Sequence, residues 1–256
     1  MSVHSDSGDF SPPTAESTPN QFPKIVGAEI AALTSGKRVA GDFFESFRVG
    51  AERVLFGLLD VAGRAETNRA ILSAAQNLFR SSGLELFAAA DVNESEAMTA
   101  LSLRLNRAIM EAAVGVHSCP AFIGCYHERF GTLCYTNAGH TPGLLLDSTS
   151  IAELTSTGLP LGLFSHATAE APTVGMEKGA VLLLVSRGVV DGTCAAKKGE
   201  TQGEEYGLER VKQYLQSQTA PGARMIAESL LKAASEYSCV ALVPEDMTAL
   251  CLVRSA

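Results

Sequence analysis

GDFFESFRVGAERVLFGLLDVAGR, residues 41–64, holds two apolar runs, 43–49 and 54–59, separated by a short polar turn at 50–53. Apolar residues on both arms and Gly50 at the turn predict a β-hairpin. Asp42 opens the first strand and Asp60 closes the second. In an antiparallel pair the start of one strand lies beside the end of the next, so the two carboxylates meet at one sheet edge. Carboxylates held together repel unless a proton or a cation lies between them. The hairpin alone leaves two readings open: a divalent-metal site, or two strand-end caps facing solvent.

Outward from the hairpin, 256 residues are enough for one large domain or two small ones, and 46% hydrophobic against 19% charged residues marks a globular chain. A formal charge of -8 with no basic stripe argues against nucleic acid as the main partner and suits a site that concentrates cations. No run approaches the roughly 18 apolar residues of a membrane span, and the N-terminus lacks an apolar signal core, so the expectation is a soluble, cytoplasmic protein with no membrane partner. The six cysteines form no CxxC pair. His117-Ser118-Cys119 and Cys125-Tyr126-His127 have a superficial look of metal ligands. They lie in or beside a strongly apolar strand, where buried thiols are expected instead of zinc.

Residues 1–22 are rich in Ser, Thr, Pro and acidic side chains and are expected to form a disordered arm. The remainder, residues 23–256, reads as one domain. A strand over about 25–34 leads into the hairpin. Helical spacing of Ala70, Ile71, Ala74, Ala75, Leu78 and Phe79 follows, with Gly83 as its expected stop. Asn93, with Glu96 three residues on, is expected to cap a second helix running to about Ala113. The period then changes. AFIGCYH and GTLCYTN predict a second hairpin about Glu128-Arg129-Phe130, and GLLLD, IAELT and AVLLLVS predict further strands. Helices at about 207–218 and 222–236 precede a last strand, MTALCLV. Strands in hairpins and helices in consecutive pairs predict an α+β fold: two packed antiparallel sheets, each with a helix pair on its outer face. No GxGxxG or GxxxxGK[ST] follows a strand, which excludes the common nucleotide-binding signatures.

The order AGDFFESF, LLDVAGRA, NAGHTPGLLL, TGLPLGLF, SRGVVDG and EDMTALCLV resembles the PPM metal-dependent protein serine/threonine phosphatases, in the subgroup typified by the stage II sporulation E phosphatase. The resemblance spans about residue 23 to the end and implies a four-layer α-β-β-α sandwich. It also implies removal of phosphate from a serine or threonine of a bacterial regulatory protein, of the anti-sigma-factor antagonist type. Water is activated by Mn2+ or Mg2+, with no phosphoenzyme. By the same resemblance Asp42 matches the Asp of GGDFYD, and Asp60 matches the Asp of DVSGKG that bridges both metals. The Val61 carbonyl matches the next ligand, and Gly63 and Arg64 match the Gly and Lys of that motif. Asn137, Gly139 and His140 match a turn-shaping AGH motif, with His140 read as a structural hydrogen-bonding residue and the 158–163 loop as framework.

Two departures fall on ligand positions. The family's TDG reads Ser186-Arg187-Gly188, and its DD[IM]T reads Glu245-Asp246-Met247-Thr248, which offers Glu245 and Asp246 as ligands. Lesser departures are Ala40, Glu45, Ala62 and Ala65. An arginine keeps its proton at any working pH and cannot ligate a metal. A guanidinium ~4 Å from a divalent ion is repelled by roughly 8 kcal/mol at an effective dielectric of about 20. Either Arg187 swings away or the second ion is absent, so one ion is expected in place of two. Arg187 then stands in for part of the missing charge, pairing with Asp60 or Glu245 or gripping a phosphate. Asp191 is expected as a solvated loop carboxylate. Two functions compete: an active phosphatase in which Asp60 anchors the metal, Asp42 orients water and Arg187 binds phosphate, and a pseudophosphatase that binds a regulatory partner without turnover.

Overall fold

The hairpin forms as two strands, β2 (Phe43–Val49) and β3 (Arg53–Leu59). The computed structural model describes residues 22–36, 42–61, 65–113, 115–148, 150–166, 169–194, 203–218, 222–238 and 246–255. The first strand alternates strictly between buried and half-buried positions, as a period-2 pattern requires. The second begins one residue earlier than its apolar run, because Arg53 pairs with Val49 and is held inside by a 2.6 Å ion pair to Glu94.

This hairpin starts a five-stranded antiparallel sheet in the order β2-β3-β4-β5-β8, adding β4 (Ala121–His127), β5 (Thr132–Ala138) and β8 (Thr173–Gly175). The second sheet has the order β1-β10-β9-β6-β7. Its strands are β1 (Ala28–Ser35), β6 (Gly143–Leu146), β7 (Ile151–Leu154), β9 (Val181–Val185) and β10 (Met247–Arg254). Phe56, Leu58, Phe122, Leu182, Leu184 and Leu250 fill the space between the sheets. Helices α1 (Ala65–Leu86) and α2 (Glu94–Ala112) cover the first sheet through Ile71, Phe79, Leu101 and Leu105 packed on Phe43, Phe47, Leu55 and Leu59. A single turn, α3 (Arg187–Val190), follows β9, and α4 (Gly207–Gln216) and α5 (Ala223–Tyr237) cover the second sheet. The result is the expected α-β-β-α sandwich.

Asn93 caps α2, its side chain accepting the Glu96 N–H at 3.3 Å. The expected stop at Gly83 is corrected: α1 runs on to Leu86. Gly83 continues the four-residue stripe Ile71, Ala75, Phe79, and a β-carbon there would lie 2.6 Å from Leu55 Cδ2 and 2.9 Å from Phe47 Cζ. The glycine lets the helix approach the hairpin. Phe22, expected in the arm, instead stacks on Phe44, with ring centroids 6.5 Å apart. Cys119 and Cys125 are buried free thiols, and burial, helped by the nearby Asp60 charge, pushes Cys119 up to about 12. Among the described residues no helix is long and apolar enough to cross a membrane. Residues 1–21, Ala40, Ala62, Gly63, Arg64 and Glu245 fall outside the described residues.

Candidate metal centre

Pairing of Phe43 with Leu59 puts Asp42 and Asp60 side by side at one end of the first sheet. At the same end of the sandwich, β9 of the second sheet runs out into Ser186-Arg187, and β10 begins after Asp246. Hydrogen bonds cross between the sheets here. Thr248 Oγ1 donates to Asp42 Oδ2 at 2.6 Å, and the Arg187 backbone N–H donates to Asp60 Oδ2 at 3.2 Å. Asp60 is held from a third side, its own N–H donating to the Pro120 carbonyl at 2.9 Å.

The hydroxyls that order this end are buried. Ser186 and Thr248 clasp each other: the Ser186 N–H donates to the Thr248 carbonyl and the Thr248 N–H to Ser186 Oγ, both at 2.9 Å. Because Thr248 gives its one hydroxyl proton to Asp42, Thr34 Oγ1, 3.3 Å away, is the donor in their contact. Neither Ser186 nor Thr248 was singled out by sequence reasoning. The available signal was a small hydroxyl residue beside a charged position at two strand ends, SRG and DMT.

Asp42 feels the carboxylates around it. Burial pushes the Asp42 carboxyl up to about 7, and the charges of Asp60 and Asp246 push the same way, while hydrogen bonds from Thr248 and Ser186 pull it down. Asp246 is buried, 4% exposed. Among the described residues no three His, Cys, Asp or Glu side chains are gathered into a ready-made cage. Asp42 therefore lies within reach of the charges of Asp60 and Asp246, without the three closing into a ligand sphere. A donor set made only of carboxylate oxygens, one of which resists ionisation, lacks positive charge, and a hard divalent cation fits it. The Val61 carbonyl, fully buried, accepts from Asn68 Nδ2 at 3.2 Å, and a carbonyl oxygen keeps a second lone pair.

Of the partners expected for Arg187, Glu245 lies outside the described residues. Among the described residues its guanidinium pairs with Asp191, Nη2 to Oδ2 at 3.1 Å, and its side chain is 62% exposed. The physical reason is local: α3 is one turn long, so Asp191 lies directly above Arg187 at the i+4 position. Asp60 receives the backbone N–H of Arg187 instead.

His140 sits behind Asp60 in a shaped turn. Asn137 Oδ1 accepts the His140 N–H at 2.8 Å, and Gly139 adopts φ +67° where a β-carbon would lie 2.4 Å from Pro160 Cγ. His140 Nδ1 is 3.0 Å from the Thr141 carbonyl, which only accepts, so Nδ1 carries the proton. Burial pulls this imidazole below its usual range, against the Thr141 carbonyl and the Asp60 charge, and the ring is neutral at pH 7. It hydrogen-bonds structurally, as expected. The 158–163 loop is framework as well: Leu161 exchanges two backbone hydrogen bonds with Cys119, next to the Pro120 carbonyl that holds Asp60.

The stage II sporulation protein E (SpoIIE) family model matches residues 50–255, which include Asp60, Arg187 and Asp246. The chain belongs to the SpoIIE family. The family is one of PPM-type serine/threonine phosphatases, and solved structures place the same fold on distant sequences. The RsbU and RsbW domains of Rv1364c from Mycobacterium tuberculosis match at 19% identity and TM-score 0.71, over 92% of this chain and 62% of that one. The PP2C phosphatase domain and regulatory fragment of SpoIIE from Bacillus subtilis match at 14% identity and TM-score 0.68, over 88% of this chain and 63% of that one. The chain thus spans less than two thirds of either. The catalytic domain of the serine threonine protein phosphatase PstP, in complex with two manganese ions, matches at 16% identity and TM-score 0.60, over 90% of this chain and 99% of that one. No curated protein matches the chain.

Proposed function

We propose that this protein hydrolyses a phosphoserine or phosphothreonine on a bacterial regulatory protein of the anti-sigma-factor antagonist type, using one divalent cation. The observation that carries the reading is the convergence of Asp42, Asp60 and Asp246 at one end of the sandwich, where Asp42 is driven up to about 7. Asp42, Asp60, Asp246, Glu245 and the Val61 carbonyl would hold Mn2+ or Mg2+. When bound, such an ion lowers the pKa of water and offsets phosphate charge. Asp42 orients the attacking water, and Asp60, fixed by the Pro120 carbonyl and the Arg187 N–H, keeps its carboxylate pointed at the site. The Arg187 guanidinium, paired among the described residues with Asp191, exchanges that partner for the phosphate oxygens of the substrate. In the reaction the water oxygen joins phosphorus, the ester P–O bond breaks, and the serine or threonine oxygen leaves with a proton.

A second reading, binding of the phosphoprotein without turnover, is favoured by one observation. The position where the family carries a metal-binding Asp holds Arg187, whose nearest carboxylate partner is the exposed Asp191. Hydrolysis of an aryl phosphate, titrated with Mn2+, decides between the two. Metal-dependent turnover that disappears in Asp60→Asn supports the enzyme. Mn2+ binding without turnover on the aryl phosphate or on phosphoserine peptides supports the binding module.

A further inference from the structure

His140 has one ring nitrogen fully engaged and one bare. Thr141 has a single hydroxyl proton, and it goes to the Val185 carbonyl. In the 3.0 Å contact between Thr141 Oγ1 and His140 Nδ1 the imidazole is therefore the donor. The Thr141 carbonyl, also at 3.0 Å, accepts from the same nitrogen. Two acceptors facing Nδ1 fix the proton there, which leaves Nε2 with a lone pair and no proton. That atom is buried, and among the described residues no donor reaches it. A buried acceptor left unmet is costly, and a turn held this firmly keeps the ring from rotating away to find a partner.

The bare nitrogen belongs to the metal-centre end of the sandwich. Gly139, just before the ring, bridges to Ala121, which pairs with Leu59 next to Asp60. Thr141, just after it, is tied to Val185, two residues before Arg187. The ring thus sits between the strand ends that carry Asp60 and Arg187, and Asp60 is the carboxylate whose charge reaches it. A proton does not fill the position, because burial keeps the imidazole neutral. Nor does His140 join the carboxylates in a ligand sphere, since no three such side chains are gathered among the described residues. A water does fit. A hard divalent cation keeps several of its waters, and the ion makes their protons more acidic and so better donors.

We propose that His140 is a positioning residue of the metal centre, its Nε2 accepting a hydrogen bond from a water of the divalent cation held by Asp42, Asp60 and Asp246. This rests on the metal-centre reading above and adds to it a residue otherwise read as framework. The carbonyl and hydroxyl of Thr141 play the part that a backbone carbonyl plays behind a metal-bound histidine: they fix the tautomer and the ring orientation. The acceptor also lies beside the strand end where Arg187 offers no carboxylate. Held at Nε2, the water loses rotational freedom before any phosphate arrives.

The test uses the full chain with 15N-labelled histidine, followed by 1H–15N correlation NMR in chelator and then in saturating Mg2+. Nδ1 should carry the proton in both states. On adding Mg2+ the His140 Nε2 resonance should move upfield, as an unprotonated ring nitrogen does when it gains a donor, and Asp60→Asn should abolish the movement. Two substitutions separate positioning from framework, because Asn places its amide where Nδ1 lies and Gln places its amide where Nε2 lies. His140→Asn keeps a donor for Thr141 and loses the acceptor. It should bind Mn2+ roughly tenfold or more weakly by electron paramagnetic resonance, with the melting temperature of the metal-free protein unchanged. His140→Gln keeps the acceptor and should bind Mn2+ more tightly than His140→Asn. A framework role alone predicts the reverse order. Mg2+ that displaces bound Mn2+ yet leaves the Nε2 resonance in place overturns the proposal while the metal centre stands, and so does wild-type Mn2+ affinity in His140→Asn. Failure of the wild type to bind Mn2+ at all defeats the metal-centre reading, and this proposal with it.

Discussion

Replacing Asp42 with Asn should make the metal-free protein more stable at alkaline pH. Burial and two neighbouring carboxylates raise Asp42 from 3.8 to about 7. A carboxyl whose folded-state pKa is raised holds its proton more tightly folded than unfolded. Below about pH 4 both states are protonated and nothing is lost. Stability then falls by about 1.4 kcal/mol per pH unit as pH climbs toward 7, where the folded state also ionises, and stays level above that. The full rise of Asp42 is equivalent to an upper bound of roughly 4 kcal/mol, and partial solvation of the site brings the expectation nearer ~2 kcal/mol. At about 2–4 °C per kcal/mol for a chain of this size, Asp42→Asn should melt roughly 4–8 °C above the wild type at pH 8. At pH 4 the two should coincide. The assay is thermal unfolding in chelator-containing buffer between pH 4 and 8. Parallel melting profiles for the two proteins across that range would refute the reasoning, because they would mean Asp42 carries no electrostatic penalty in the fold.

Three other substitutions test separate parts of the account. Thr248→Val deletes the buried donor to Asp42 and should cost about 1–3 kcal/mol in denaturant unfolding at pH 8, with a smaller loss at pH 5, where the carboxyl is neutral. Gly83→Ala should destabilise by about 1–3 kcal/mol by driving a methyl into Leu55 and Phe47, although alanine is the better helix former; a stabilised variant would contradict the close approach. Arg187→Asp should leave stability within about 1 kcal/mol, since it removes only an exposed pair, and should add a second bound Mn2+; unchanged stoichiometry would place the altered metal dependence elsewhere than Arg187.

How much of this was legible in the sequence depends on whether the controlling contacts were local. The hairpin was readable because two apolar runs, 43–49 and 54–59, flank a short polar turn with Gly50, and its register then dictated that Asp42 and Asp60 meet. The Asn93 cap was readable for the same reason, its partner lying three residues away. Gly83 was misread because a glycine's meaning here lies in Leu55 and Phe47, 28 and 36 residues distant in the chain. Strand β8, Thr173–Gly175, is too short to leave a periodic trace. At the site, the charge reversal at Arg187 was visible but its partner was not. A long flexible side chain had three carboxylates to choose from, and only the single turn of α3 brings Asp191 into line. The Ser186–Thr248 clasp stayed hidden because it joins strand ends about 60 residues apart, and hydroxyls are common everywhere in a sequence.

The central claim, that Asp42, Asp60 and Asp246 bind a divalent cation, is tested most directly by counting Mn2+ bound per chain by electron paramagnetic resonance at pH 8 and pH 5.5. The account predicts one tightly held ion at pH 8, weaker binding at pH 5.5 where Asp42 takes up its proton, and loss of the ion in Asp60→Asn. Binding that is absent at pH 8, or unaffected by Asp60→Asn, would contradict it.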